Sequence, residues 1–157
     1  MRLVDVHCHL EAEEFKETLG PVLAAARAAG IVKLVTASIV PEQWAVSESI
    51  AGRFPEVAFA WGIHPWYLQE AHLDQVDGLR AARDHGAVAI GEIALDGKIA
   101  SPPMAMQRVF FERQLRIAKD LDLPVVIHCR GAFNELIESL KAVGVPSAGG
   151  VIHAFKG

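Results

Sequence analysis

The sequence predicts an α/β fold of the (β/α)8 TIM-barrel type, with about six of the eight strands present in these 157 residues. Short β-branched runs alternate with helical patterns along the whole chain. This order is typical of parallel sheets with right-handed crossovers. Polar residues end most of the runs, and a barrel collects such strand ends around one axis.

Six short apolar runs, each bounded by polar or turn residues, are the predicted strands. They are Leu3–His7, Val32–Ala37, Val57–Gly62, Val88–Glu92, Pro124–His128 and Gly150–His153. An open doubly wound sheet is the alternative, but it would gather ligands at one switch point rather than at most strand ends. A closed barrel needs eight strands in about 250 residues. We therefore expect one domain, residues 1–157, that is incomplete at its C-terminus.

Five helical patterns separate these strands. They are Pro21–Ala29, Pro41–Phe54, His72–His85, Met104–Leu121 and Ala132–Val143. Prolines suit the first turn of a helix and glycines suit its end, which agrees with Pro21, Pro41, Gly30, Gly86 and Gly144. His72 and His85 fall inside the third pattern, so we expect ordinary surface residues there.

Composition favours a water-soluble enzyme. The chain is 52% hydrophobic and 22% charged, which supports a large core and excludes a disordered protein. The net charge of −4 gives no overall electrostatic attraction for nucleic acid. No apolar stretch approaches the roughly 18 residues of a membrane span. Because catalytic-looking residues begin at His7, we expect no signal peptide and a cytoplasmic location.

Four histidines and one glutamate are candidate metal ligands. His7 and His9 close the first strand, and their i, i+2 spacing puts both on one face. Glu92, His128 and His153 each follow a later apolar run. Imidazole and carboxylate groups that converge in this way suit borderline transition metals.

The two cysteines should face away from this site. Cys8 lies between His7 and His9, and Cys129 follows His128. Because side chains alternate along a strand, both thiols should point into the helical layer. Cys8 as a further ligand is the alternative; a small buried hydrophobic residue is the favoured interpretation.

Four other residues could shape a substrate pocket. His64 is a better candidate for a substrate or indirect contact than for a ligand. Arg130 shares a face with His128 and would bind a phosphate or form a surface ion pair. Asp96 could cap a loop or form a pocket wall. Trp66 could stack on a nucleobase, although a lid packed on its own barrel is commoner.

Five ordered motifs together resemble the TatD family of metal-dependent deoxyribonucleases. They are Asp5–Leu10, Gly62–Pro65, Gly91–Asp96, His128–Arg130 and His153–Gly157. The resemblance implies two divalent ions (Mg²⁺, Mn²⁺ or Zn²⁺), one held by His7 and His9 and the other by His128 and His153. Glu92 would bridge them as the catalytic carboxylate, and His64 and Arg130 would bind substrate.

The sequence also departs from the family pattern. The family has an aspartate ligand after its eighth strand, which this sequence does not reach. Glu11, Ala94 and Gly97 stand where the family usually carries an aspartate, a glycine and an aromatic residue, and Gly131 and Phe133 replace commoner polar residues. These five positions lie in or beside loops that shape the substrate pocket.

The resemblance implies a deoxyribonuclease that cleaves phosphodiester bonds with a metal-activated water. The expected partner is DNA or another phosphoester. The alternatives are a hydrolase of a small amide, lactone or phosphoester, and a non-catalytic metal-binding fragment. Six strands leave open edges and an apolar inner face, through residues such as Val4, Val126 or Val151. We therefore expect the isolated chain to self-associate or to be poorly stable, and to have low hydrolytic activity because the aspartate ligand is missing.

Overall fold

All six strands form one parallel sheet, and its order follows the chain. The computed structural model describes residues 1–69 and 72–155. The strands are β1 (Leu3–Cys8), β2 (Ile31–Ala37), β3 (Val57–Trp61), β4 (Ala89–Asp96), β5 (Val125–Arg130) and β6 (Gly150–Ile152). Each strand pairs in parallel with the next. The strand order has no reversal, so the doubly wound alternative is excluded for the described residues.

Helices cover the outer side of this sheet. They are α1 (Leu19–Ala28), α2 (Trp44–Arg53), α3 (His72–Gln75), α4 (Met104–Asp120) and α5 (Phe133–Val143). Single 3₁₀ turns precede α1 and α2, and a longer 3₁₀ segment, Val76–Ala81, continues α3. The predicted third helix is therefore wrong in type: one α-helical turn gives way to the tighter geometry.

The sheet is strongly curled. β1 and β6 lie at opposite ends of the strand order, yet the rings of His7 and His153 at their carboxyl ends stack with centroids 3.8 Å apart. A flat six-stranded sheet would separate these ends by about 24 Å at the usual strand spacing. The curvature confirms the predicted barrel-type architecture and gathers the strand ends around a common axis.

Two apolar layers stabilise the sheet. The larger one lies between the sheet and the helices, where Ile90, Ile93 and Phe111 are fully buried. A second, smaller cluster lines the inner face and consists of Ala37, Ala60, Ala89 and Val126. Small residues predominate there because neighbouring strands of a curled sheet leave little room on the concave side. Val126 is 5% exposed, so the expectation of an open position is wrong for it, whereas Val4 is 57% exposed.

An irregularity in β4 determines which side chains reach the inner face. Ile90 and Ile93 both belong to the outer core, although strict alternation would put residues three apart on opposite faces. The pairing of β4 with β5 shifts register between these two residues. Glu92, adjacent to Ile93, therefore points to the inner face. The strand also continues to Asp96, beyond the predicted end at Glu92.

The pairing of β1 with β2 also contains a register shift, and it affects which side chains of β1 face outward. The register with β2 changes between Asp5 and Cys8. Cys8 packs with the outer cluster that contains Leu10 and Leu34, and its thiol donates to the carbonyl oxygen of Val35 at 3.4 Å. Burial raises the pKa of Cys8 to about 12. Cys129 likewise packs against the main core. The prediction that both thiols face the helical layer is confirmed.

The two histidines of the third helical segment differ. His85 is paired with Glu48 at 3.0 Å on the surface, as expected. His72 is 4% exposed, and its Nδ1 accepts a hydrogen bond from the backbone N–H of Gln69. The expectation that His72 lies on the surface is wrong, because its ring is buried and accepts this hydrogen bond. None of the helices in the described ranges is long and apolar enough to span a bilayer. The cytoplasmic location stays a prediction.

Two buried glutamines on α4 fix the ends of β3 and β4. The Gln114 amide donates to the Ile63 carbonyl and accepts from the Ile63 N–H, at 3.1 and 2.8 Å. Gln107, two turns earlier, makes the same pair of bonds with the backbone of Asp96, at 3.1 and 2.8 Å. Side-chain amides thus take the place of strand partners where the ladder ends.

We predict that Gln114→Met lowers the free energy of unfolding by about 2–4 kcal/mol, because the buried N–H and C=O of Ile63 each lose their partner. Urea denaturation measures the loss. Arg116→Met is the matched control, because the Arg116 side chain is 56% exposed on the same helix and should change stability by less than about 0.5 kcal/mol. Equal stability of the two variants would show that the hydrogen bonds between Gln114 and Ile63 do not stabilise the fold.

Candidate metal centre

The Glu92 carboxylate is the centre of the site. The residue is 3% exposed, and its backbone N–H donates to the carbonyl oxygen of Ser38 at 3.1 Å. Gly62, just after β3, lies directly against it: a Cβ atom at Gly62 would come within 2.7 Å of the Glu92 backbone nitrogen. The strand can therefore bring Glu92 deep into the concave face only beside a residue without a side chain.

Five histidines surround the two oxygens of this carboxylate. Oε1 lies 2.6 Å from His153 Nε2, 3.4 Å from His128 Nδ1 and 3.7 Å from His64 Nε2. Oε2 lies 3.4 Å from His9 Nε2 and 3.5 Å from His7 Nε2. The two histidines of the first strand end thus face one oxygen, and the remaining three face the other. The structure brings together all five predicted ligands, and it adds His64 to them.

Distances among the nitrogens suggest another grouping. His7 and His153 form one compact set with Glu92, and His64 and His128 form another, with ligand atoms within 4.8 Å of one another in each. Both groupings share Glu92, so its central position does not depend on the choice. They differ on whether His64 is a ligand.

The hydrogen bonds of the rings bear on that question. The backbone N–H of Trp66 donates to His64 Nδ1 at 3.1 Å, so the proton of the neutral ring sits on Nε2 and no lone pair faces Glu92. His9 is the opposite case. Its Nδ1 must donate to the carbonyl oxygen of Ala37 at 2.8 Å, which leaves a lone pair on Nε2 when the ring is neutral. We therefore favour the grouping by carboxylate oxygen, with His64 as a donor rather than a ligand.

Burial and hydrogen bonding give these groups unusual protonation states. Burial alone would raise the pKa of Glu92, but hydrogen bonds from His153 and His9 outweigh it and hold that pKa far below its ordinary value. Burial lowers the pKa of His7 and of His64 to about 4, so both rings are neutral at pH 7. The hydrogen bond to Glu92 raises the pKa of His9.

These residues fit a divalent metal ion. An ionised carboxylate beside neutral imidazoles is the donor set that borderline transition metals prefer. Among the described residues, the buried His7 Nδ1 and His128 Nε2 have no hydrogen-bond partner. The nitrogens of these two rings that face Glu92 are the opposite ones, Nε2 of His7 and Nδ1 of His128, so each ring could turn a lone pair toward an ion beside the carboxylate.

A cavity of about 320 Å³ opens above the carboxylate. It is lined by His9, Ile39, His64, Trp66, Tyr67, Glu92, His128 and His153. Trp66 and Tyr67, in the 3₁₀ turn after β3, are each about half exposed at its mouth. The sequence did not single out Tyr67 or Ile39, although the adjacency of Tyr67 to Trp66 in a loop was a usable signal.

Arg130 and Asp96 meet at the edge of this cavity. The Arg130 Nε donates to both oxygens of the buried Asp96 carboxylate, at 3.0 and 3.1 Å. The guanidinium carbon stands 5.3 Å from the Trp66 ring centroid. The side chain of Arg130 is 49% exposed, so its terminal nitrogens remain accessible. Arg130 thus forms an ion pair and also stands at the pocket mouth. Asp96 caps the loop by accepting from the Lys98 N–H, and it also forms part of the pocket wall.

The glycines at positions 97 and 131, which depart from the family pattern, depend on each other. A Cβ atom at Gly97 would collide with the carbonyl oxygen of Gly131. Gly131 has a φ of +62°, which is strained for a residue with a side chain. The loops after β4 and β5 therefore meet through two glycines, and an aromatic residue at position 97 would force them apart.

Comparison with known proteins identifies relatives along the whole chain. The sequence profile described as "TatD related DNase" matches residues 4–157. YjjV of Escherichia coli (strain K12), named as an uncharacterized metal-dependent hydrolase, is 31% identical over 159 residues, covering 99% of this chain and 61% of the relative. The "3'-5' ssDNA/RNA exonuclease TatD" of Rahnella sp. (strain Y9602) is 30% identical over 159 residues, covering 99% and 60%.

Solved structures agree with this comparison. The crystal structure of YjjV, a TatD homologue from Escherichia coli K12, matches with a TM-score of 0.90 at 31% identity and covers 99% of this chain and 61% of that one. A TatD family hydrolase from Entamoeba histolytica shows the same fold, with a TM-score of 0.85 at 22% identity, over 59% of its chain. The present chain thus spans about three fifths of the length of these relatives.

We predict that Glu92→Gln abolishes binding of both metal equivalents, because both sets of histidines share this carboxylate. Elemental analysis after dialysis against zinc measures the stoichiometry. Glu48→Gln is the matched control, because Glu48 is also paired with a histidine, His85, but on the surface. The same metal content in Glu92→Gln and in the native protein would show that Glu92 bridges no ions.

Proposed function

Because this chain belongs to the TatD related DNase family, we propose that it is a divalent-metal-dependent hydrolase that cleaves phosphodiester bonds in DNA. The single observation that carries the proposal is the buried Glu92 carboxylate with five histidine side chains within 3.7 Å. The continuous sheet supports treating residues 1–157 as one hydrolase domain.

Two ions would be held on the two sides of Glu92. His7 and His9 face Oε2 and would bind one ion, whereas His128 and His153 face Oε1 and would bind the other. Bound divalent ions supply Lewis acidity and lower the pKa of water that acts as the nucleophile. Because imidazole suits Zn²⁺ better than Mg²⁺, which prefers oxygen ligands, zinc is the favoured identity, with Mn²⁺ next.

The remaining residues would bind and orient the substrate. The Nε2–H of His64 points toward the carboxylate and can donate to a phosphate oxygen. The accessible terminal nitrogens of Arg130 can bind a second phosphate oxygen at the pocket mouth. Trp66 and Tyr67 give the mouth an aromatic wall on which a base could stack. Glu92 is the proposed catalytic carboxylate because the reacting groups would meet beside it.

The test is metal-dependent cleavage of single-stranded DNA. We predict cleavage with Zn²⁺ or Mn²⁺ and its loss with a chelator. Arg130→Ala should lower kcat/KM by about 10–100-fold, as expected for one lost hydrogen bond to a charged group, and leave the metal content unchanged. Arg80→Ala is the control, because Arg80 forms ion pairs with Asp77 and Asp120 on the surface.

The other outcomes separate the alternative functions. Hydrolysis of a small amide, lactone or phosphoester without cleavage of DNA would replace the nuclease by another hydrolase on the same site. Metal binding without turnover of any of these substrates would indicate a non-catalytic protein. Loss of metal in Arg130→Ala would make Arg130 a structural partner of the site. Cleavage of DNA that resists the chelator would contradict the proposal itself.

The open sheet also supports self-association of the isolated chain with a second copy. Val6 is 47% exposed and, with Val35 and Val151, lines an apolar groove on the inner face. We predict concentration-dependent dimers in sedimentation velocity, and a shift toward monomers in Val6→Lys. Val109→Lys is the control, because Val109 is 56% exposed on the outer helix α4. A native chain that stays monomeric at all concentrations would contradict this prediction.

A further inference from the structure

Asp96 is a fully buried carboxylate that the metal ligation proposed above does not use. Its backbone is fixed on both sides by Gln107 of α4. Oδ1 accepts from the Lys98 N–H at 2.8 Å, and Oδ2 accepts from the Trp66 indole N–H at 2.6 Å. Both oxygens accept from Arg130 Nε. The carboxylate is therefore held rigidly by three donors, two of which belong to side chains at the pocket mouth.

A fourth group beside Asp96 is the ring of His128. His128 Nε2 lies 3.5 Å from Asp96 Oδ2, while Nδ1 on the opposite side of the ring lies 3.4 Å from Glu92 Oε1. Nε2 is buried and has no hydrogen-bond partner among the described residues. Asp96 Oδ2 is the carboxylate oxygen that stands beside this nitrogen. The ring thus lies between two carboxylates, one on each nitrogen.

We propose that Asp96 is a positioning residue that keeps the proton of His128 on Nε2, so that the lone pair of Nδ1 faces Glu92 and the metal. An ionised carboxylate accepts hydrogen bonds and cannot donate them. Asp96 therefore stabilises the tautomer with its proton on Nε2 over the tautomer with its proton on Nδ1. The same carboxylate holds Arg130 and Trp66, which couples the orientation of a metal ligand to that of the substrate-binding wall. This inference rests on the proposed metal-dependent function.

The alternative is a purely structural role, in which Asp96 only caps its loop and neutralises Arg130. Lys98 N–H and Arg130 Nε satisfy that role without any contribution from His128. The two interpretations differ in the tautomer of His128, which a loop cap would not determine. They also differ in metal affinity, which a loop cap on the far side of the ring would leave unchanged in a folded protein.

The first experiment reads the tautomer directly. Long-range ¹H–¹⁵N correlation spectra of histidine-labelled protein, with and without zinc, distinguish a protonated Nε2 from a protonated Nδ1. The His128 signals are those absent from His128→Gln. We expect the proton on Nε2 in both states. A metal-free protein in which His128 carries no proton on Nε2 would overturn the inference.

The second experiment removes the charge of Asp96. Asp96→Asn offers an amide that can donate to Nε2 and so favour the wrong tautomer. We expect zinc affinity at one of the two sites to fall by about 10–100-fold, the range for an outer partner of a metal ligand. Asp77→Asn makes the same change of charge at a half-exposed residue paired with Arg113 and should leave affinity unchanged. Isothermal titration calorimetry measures both, and circular dichroism verifies folding.

Failure of this inference differs from failure of the proposed function. If the native protein binds no zinc, the proposed function fails, and the tautomer in the metal-free protein still tests Asp96. If the native protein binds zinc and Asp96→Asn keeps the native affinity and tautomer, the positioning role is wrong. If Asp96→Asn does not fold, the spectra of the native protein decide alone.

Discussion

The rest of this structure depends on the burial of one carboxylate among five imidazoles. Glu92 is 3% exposed, and an isolated charge at that depth would cost several kcal/mol. Hydrogen bonds from His153 and His9 offset this cost and keep the pKa of Glu92 far below its ordinary value. These histidines come from distant parts of the chain, so only a strongly curled sheet can bring them to the same carboxylate.

Backbone details of the strands make that meeting possible. The register shift in β4 turns Glu92 inward while Ile90 and Ile93 stay in the outer core. Gly62 leaves room for the backbone of Glu92 to pass. Around the carboxylate, a further layer of acceptors and donors sets the state of each ring: the Ala37 carbonyl for His9 and the Trp66 N–H for His64. The protonation of the histidines is thus determined by backbone groups that surround the site, and not by the histidines and Glu92 alone.

The sequence predicted the larger features because they arise from local pattern. Short apolar runs bounded by polar or turn residues identified five of the six strands closely, and the i, i+2 spacing of His7 and His9 put both on the face of Glu92. The length of β4 was missed, because a register shift interrupts the alternation on which strand prediction relies. The assignments of individual ligands and of substrate contacts stay predictions.

Other features could not be read from local pattern because they depend on tertiary contacts. Gln107 and Gln114 resemble ordinary polar positions of a helix, and only the folded chain shows that they complete the ends of two strands. His72 is buried and its ring accepts a hydrogen bond from the backbone of Gln69, a contact that the helical pattern of the sequence does not show. Asp96 was ambiguous because a loop cap and a pocket wall require the same residue type.

The central claim is that Glu92 bridges two metal ions, and anomalous X-ray diffraction at the zinc edge tests it most directly. Crystals grown with zinc should show two anomalous peaks, each about 2.0–2.2 Å from one oxygen of the Glu92 carboxylate. His7 and His9 should coordinate the ion at Oε2, and His128 and His153 the ion at Oε1. A structure in which zinc binds elsewhere, or in which Glu92 contacts no ion, would contradict the account.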